Sequence, residues 1–266
     1  MNSETLCKQV CELTLEVGKF IRTERKTFSQ SAIEYKGNND MVSYVDKTAE
    51  KKLVDGLTLL LPEAGFITEE NTSQATGPAY TWIIDPLDGT TNFIHGVPCY
   101  CISIALMRNN ELIIGVIYEI NHDESFYAFE NGGAFLNGTK ISVSGTDKLK
   151  QSLMATGFPY SNYSRMKEYM DVFDHLMHNT HGLRRLGSAA VDLAYVACGR
   201  FEGFYEYGLN SWDVAAGALI VKEAGGKVTD FSGGNNFVFG KEIIATNENV
   251  FEEMLGIIKE KFSIKA

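Results

Sequence analysis

With 266 residues, 44% of them apolar and 22% charged, the chain can build one full hydrophobic core or two fused ones, and it is too apolar to be disordered. Its formal net charge of −10, from 34 acidic against 24 basic residues with no Lys/Arg-rich run, speaks against nucleic acid and anionic membranes as partners. A phosphorylated ligand suits such a chain only where metal cations stand between the two anions.

The N-terminal "MNSETLCKQVCELTLEV" sets acids among its apolar residues, unlike a signal peptide. Leu6, Val10, Leu13, Val17 and Phe20 recur at steps of four and three, predicting an amphipathic first helix with Ser3 as its N-cap. A polar stretch follows, ending in Lys36-Gly37-Asn38-Asn39-Asp40. A second helix is expected from Asp46 to Leu61, stopped by Pro62. From residue 82 to 143 the pattern is that of strands. "YCISIALM" and "ELIIGVIYEI" flank a tight hairpin at Arg108-Asn109-Asn110, and "SFYAFE" and "AFLNGTKISV" continue an antiparallel meander.

Beyond residue 150 helices and strands alternate. "GSAAVDLAYVACGR" predicts a helix capped by Ser188, and "SWDVAAGALIVKEAGG" one from about Trp212, stopped by Gly225-Gly226. A last helix is expected near Asn249 to Phe262. The five cysteines, Cys7, Cys11, Cys99, Cys101 and Cys198, form no CxxC and read as reduced core thiols. No apolar run approaches the roughly 18 residues of a spanning helix. A soluble, cytoplasmic protein is the expectation.

"WIIDPLDGTTNF", residues 82–93, is the most informative segment. Trp82, Ile83 and Ile84 suit a strand buried on both faces, and Pro86 keeps Asp85 extended. Gly89 permits a sharp turn, after which Thr90-Thr91-Asn92 offers backbone amides at the start of a helical turn. Two acids this close repel unless a cation neutralises them, and all-oxygen ligands favour Mg²⁺, with Mn²⁺ a substitute and Ca²⁺ a non-productive binder. A DxxDG alone equally suits a capped turn. Glu69-Glu70, Asp46 and Asp213 each have a structural reading of their own, as a solvated pair or as helix N-terminal acids. Together with Asp85 and Asp88 they make enough ligands for two ions.

"WIIDPLDGTTNFIHG" and "WDVAAGALIVKEAGG" resemble the two signatures of the inositol monophosphatase family. "TEE", "VSYVDKTAE" and "GLRRLGSAAVDLAYVACGRFEGFYE" fit the same family in order. The resemblance implies an α/β (α+β) fold, a layered α-β-α-β-α sandwich of the inositol monophosphatase/fructose-1,6-bisphosphatase type. Residues 1–146 would hold the antiparallel sheet and 147–266 the mixed one, commonly in a homodimer. It also implies that Glu69, Asp85, the Leu87 carbonyl, Asp88 and Asp213 bind two or three Mg²⁺ ions, with Asp85 bridging. The Gly89 and Thr90 amides would hold phosphate. Asp46 and Thr90 would orient the attacking water, with Glu69 as a further catalytic residue. Ser188, Ala189, Glu206 and Asp213 would meet the substrate. Lithium inhibition, and a loop at Lys36 closing over the ions, are further implications.

The implied reaction is Mg²⁺-dependent hydrolysis of a small phosphorylated polyol, myo-inositol monophosphate foremost. Thr91-Asn92-Phe93 resembles the inositol branch, where bisphosphate nucleotidases carry Lys-Glu-Phe. Bisphosphate nucleotidase or fructose-1,6-bisphosphatase activity is the alternative within the family, and an inactive interaction protein the alternative outside it. A haloacid-dehalogenase mechanism is excluded, since its nucleophile would fall on Pro86. Leu87 and Gly89 break the ligand pattern of an EF-hand. His95 and Arg184-Arg185 lie near the motifs without a role that the metal scheme requires.

Overall fold

The computed structural model describes residues 2–29, 33–35, 41–70, 79–160 and 162–263. Lys36 lies outside them. Helix α1 spans Ser3–Thr27 and buries Leu6, Val10, Val17 and Ile21 along one stripe. Its cap is Asn2 and not the expected Ser3: the Asn2 side chain accepts the Thr5 N–H at 3.1 Å, so the helix starts one residue sooner. Helix α2, Tyr44–Leu60, starts two residues before the expected Asp46 because Ser43 caps it. Asp46 reaches back to the Ser43 N–H at 2.8 Å, completing a capping box. Leu53 and Leu57 are buried, and Pro62 follows the C-cap Leu61 as expected.

A two-stranded antiparallel ribbon, β1 (Ile33–Tyr35) and β2 (Met41–Ser43), leads into α2. The main sheet comprises β3 (Gly65–Thr68), β4 (Tyr80–Asp88), β5 (Cys101–Arg108), β6 (Glu111–Glu119), β7 (Glu124–Phe129), β8 (Gly133–Leu136) and β9 (Thr139–Ile141), in that spatial order. The meander from β4 to β9 is antiparallel, as its pattern predicts. Only β3, at the edge, runs parallel to its neighbour β4. Asn109 and Asn110 turn β5 into β6 with φ of 50° and 69°, left-handed values that asparagine tolerates and that match the twist of a two-residue hairpin.

β4 is buried on both faces. Trp82 and Ile84 enter the core under α1 and α2, while Ile83 enters the core on the opposite side. Between Asp85 and Asp88 the register slips: Asp85 pairs with Ser103 but Asp88 with Cys101, so three steps on β4 face two on β5. Residues three apart on a regular strand point to opposite faces, and this bulge restores them to one side. Pro86 sits inside the bulge, where the missing N–H costs no ladder bond.

Short helix α3, Thr90–His95, follows β4. The second half contributes β10 (Leu153–Thr156), α4 (Met166–Asn179), β11 (Gly182–Arg184), α5 (Ala189–Ala197), β12 (Gly203–Tyr207), α6 (Ser211–Glu223), β13 (Lys227–Thr229), β14 (Glu242–Thr246) and α7 (Phe251–Lys261). Its sheet, ordered β11-β10-β12-β14-β13, is mixed: β10 is parallel to both neighbours and the remaining pairs are antiparallel. Ser188 caps α5 as expected, its Oγ accepting from Val191 N–H at 3.3 Å.

α6 is apolar all round, with Val214 to Val221 buried, because it lies between the two sheets and packs on β5, β6, β13 and β14. α1 and α2 cover the outer face of the large sheet, and α4 and α7 that of the small one. The layers therefore run α-β-α-β-α, as the resemblance implies.

Candidate functional site

Three elements deliver carboxylates to one place. The bulge in β4 presents Asp85 and Asp88 together. α6 presents Asp213 from its third position, where the Asn210 N–H donates to Oδ2 at 2.6 Å and fixes the side chain. Oxygen atoms of Asp85, Asp88 and Asp213 all lie within 4.8 Å of one another. Glu69 follows β3 beside Asp85, its N–H donating to the Ile84 carbonyl at 3.3 Å. It lines the same cavity without joining that tight trio. Glu70 is not part of the lining. Its N–H donates at 2.8 Å to Oε2 of Glu50, a fully buried residue one turn beyond Asp46 on α2 that the sequence reading did not single out.

Burial pushes the Asp85 carboxyl well above its ordinary value, and the charges of Glu69, Asp88 and Asp213 push it further. Asp88 is pushed up to about 6 by burial, against hydrogen bonds that favour its charged form. Two of those bonds come from the N-cap and first turn of α5: Ser188 Oγ and the Ala190 N–H each donate to Oδ2 at 2.7 Å. The Ser188 hydroxyl thus holds Asp88 as well as capping its helix. A buried all-oxygen trio whose members repel one another fits a hard divalent cation, which would relieve the repulsion that raises Asp85.

Asp46 is buried and its carboxyl is raised by that burial, opposed by its bonds to Ser43 and Thr90. Thr90 Oγ1 lies 3.0 Å from Asp46 Oδ1 and 2.9 Å from the Leu87 carbonyl, so both acceptors are within reach of its hydroxyl proton. Gly89 has φ 93° and N-caps α3. A Cβ there would come within 2.9 Å of the Cys99 carbonyl, so the turn requires glycine. Asn92 of the Thr-Asn-Phe segment donates to the carbonyls of Cys99 and Leu186, both at 2.8 Å, tying α3 to the segment before α5.

The acids open into a cavity of about 520 Å³. Ser188, Ala189 and Glu206 line it, as do Asp192 and Tyr160, which the sequence reading passed over. Burial pushes the Glu206 carboxyl up to about 8, with Arg185 opposing the shift. Arg185 lines the cavity and donates to the Tyr160 hydroxyl at 3.3 Å, whereas Arg184 is exposed and bonds the Leu183 carbonyl. His95 is exposed and outside the lining. All five cysteines are free thiols; Cys7 and Cys101 are buried, and Cys101 lies 3.6 Å from Ser188 Oγ.

The family model described as "Inositol monophosphatase family" matches residues 2–261. The chain is 36% identical over 266 residues to an inositol-1-monophosphatase of Mesorhizobium japonicum, covering 100% of both chains. It is 41% identical over 233 residues to a protein named Nus factor SuhB of Pseudomonas aeruginosa, covering 86% of each. Among solved structures, the extragenic suppressor protein suhB from Bartonella henselae is similar with TM-score 0.90 and 37% identity, covering 96% of this chain and 99% of that one.

Proposed function

The chain belongs to the inositol monophosphatase family, a family of phosphomonoester hydrolases, and from that premise we propose that it hydrolyses a myo-inositol monophosphate to inositol and phosphate with Mg²⁺ as cofactor. The observation that carries this is the convergence of Asp85, Asp88 and Asp213, from a strand bulge and a distant helix, to within 4.8 Å. Such a trio is costly without a cation and serves no packing purpose.

Asp85, Asp88, Asp213, Glu69 and the Leu87 carbonyl would hold the ions, which when bound supply hydroxide near neutral pH and neutralise charge on the phosphoryl group. Thr90, donating to Asp46, turns an oxygen lone pair toward the cavity and can accept a hydrogen bond from the attacking water. Asp46 is locked by its capping box and keeps Thr90 in that orientation. The Gly89 and Thr90 amides would hold phosphate oxygens. The attacking water gives up a proton as its oxygen bonds to phosphorus; the bond to the inositol oxygen breaks, and that oxygen takes up a proton in exchange, leaving inositol and inorganic phosphate. Glu206, Ser188 and Ala189 would face the polyol.

Catalysis by this chain is inferred from its own acid cluster, not from the differing names that its relatives carry. A homodimer belongs to the same proposal, as does a cytoplasmic setting, which five free thiols favour. Among the described residues no helix is long and apolar enough to cross a membrane.

The test is phosphate release from myo-inositol 1-phosphate with and without Mg²⁺, in the native chain and in Asp88→Asn. Turnover that requires Mg²⁺, falls by a factor of 10² or more in the variant, and is suppressed by millimolar Li⁺ supports the proposal. Release that ignores the metal, or an unaffected variant, ends it. Faster turnover of 3′-phosphoadenosine 5′-phosphate or fructose 1,6-bisphosphate would move the substrate assignment within the family.

A further inference from the structure

Asp192 stands in the first turn of α5 and lines the cavity, yet it belongs neither to the acid trio nor to a helix cap. It is 1% exposed, and its Oδ1 has no hydrogen-bond partner among the described residues. Its neighbours on the helix, Ala190, Val191, Leu193 and Ala194, are buried and apolar. An apolar side chain would serve packing there without leaving a polar atom unmet, and a buried unmet oxygen calls for an explanation.

The cavity supplies one. Glu206 approaches from β12 and Arg185 from the segment before α5; both line the cavity, and the Asp192 carboxyl feels Glu206 and Asp88 as repulsive charges and Arg185 as an attractive one. Burial and the two acids push Asp192 well above the ordinary carboxyl range, toward a neutral acid that both donates and accepts. A ring carrying several hydroxyls would meet both carboxyls, whereas an apolar alcohol would leave them unpaired.

We propose that Asp192 is a specificity-determining residue whose carboxyl hydrogen-bonds a hydroxyl of the substrate alcohol other than the one facing Glu206, so that the pair selects polyhydroxylated phosphate esters. This rests on the polyol-phosphate function proposed above. The selection works at the ground-state and transition-state binding of the alcohol, and the acid trio is not part of it.

The experiment compares kcat/KM for myo-inositol 1-phosphate with that for cyclohexyl phosphate, which keeps the ring and lacks the other hydroxyls, at saturating Mg²⁺. The native chain is expected to prefer the inositol ester strongly. In Asp192→Ala that preference falls at least tenfold, carried mainly by KM, and Asp192→Asn restores most of it because an amide also pairs with a hydroxyl. Should Asp192→Ala fail to fold, Asp192→Leu reads the same ratio with the volume retained. A preference unchanged in the apolar variant, or equal losses on both esters, overturns the role of Asp192 alone. A native chain that hydrolyses cyclohexyl phosphate as well as the inositol ester overturns the substrate class, and this role with it.

Discussion

Asp46 Oδ1 lies 3.0 Å from Thr90 Oγ1, a contact between residues 44 apart in sequence. It joins the first turn of α2 to the first turn of α3, and its partners are fixed from behind: Asp46 by the Ser43 N–H, Thr90 by the Gly89 turn. If the pair orients the attacking water, Thr90→Val loses the hydroxyl without loss of volume. It should lower kcat by about 10²–10⁴ with a smaller change in KM. Thr90→Ser should recover most of the rate. Steady-state kinetics of the three proteins decide it, and equal rates for Thr90→Val and the native chain would remove Thr90 from the chemistry.

Asp85 is held against its own field. In the metal-free protein Asp85→Asn relieves burial of a charge and its repulsion from Glu69, Asp88 and Asp213, so its melting temperature should rise. Added Mg²⁺ should stabilise the native chain by about 2.7 kcal/mol at a hundred times the dissociation constant. The variant should show little of that gain and little turnover. Thermal melts with chelator and with MgCl₂ check both signs, and a native chain indifferent to Mg²⁺ would be inconsistent with a metal at this trio.

Much of this frame was legible in the chain, and the failures have physical causes. The meander and the two central C-terminal helices follow from strand alternation and from Asn-Asn, Ser188 and Gly-Gly cap and turn signals, whereas the five layers were implied only by the resemblance to the family. Ser3 lost the cap to Asn2 because adjacent good caps compete on tertiary detail that a sequence does not display. The bulge at Pro86 was invisible as such, although an acid spacing of three on a strand with proline between is its signature. Ser43-x-x-Asp46 and Asn210-x-x-Asp213 are both readable as N-cap and N3 pairs, and those caps explain why the two distant acids are rigid. Asp192 and Glu50 carried no signal of this kind: each is a single acid on a helix, and only the folded chain shows what faces it.

Glu206 sets a pH dependence of stability. Its folded value, pushed up from 4.5 to about 8 by burial, means that the folded chain holds a proton the unfolded chain gives up between those limits. The stabilisation is therefore fully present below about pH 4.5 and is lost as the pH rises through 8. Glu206→Gln removes the titrating group. In chelator, the native melting temperature should fall more than that of the variant between pH 5 and pH 9, with a difference on the order of a few kcal/mol at most. Parallel melting curves over that range would show that Glu206 is not held neutral.

Gly115 lies on β6 against the backbone of α6, the helix that carries Asp213. A Cβ added there would stand 2.6 Å from the Ala216 carbonyl of α6, a backbone atom that cannot rotate away. α6 carries Asp213 three residues before Ala216, so Gly115→Ala must lift the helix from the sheet and carry Asp213 with it. Overpacking of this kind costs about 1–3 kcal/mol. The melting temperature should fall, and the Mg²⁺ concentration for half-maximal activity should rise. Gly145→Ala, where an added Cβ meets no atom within 4 Å, is the control and should change neither. If Gly115→Ala lowers stability while the metal dependence stays put, Asp213 is positioned independently of the contact between α6 and β6.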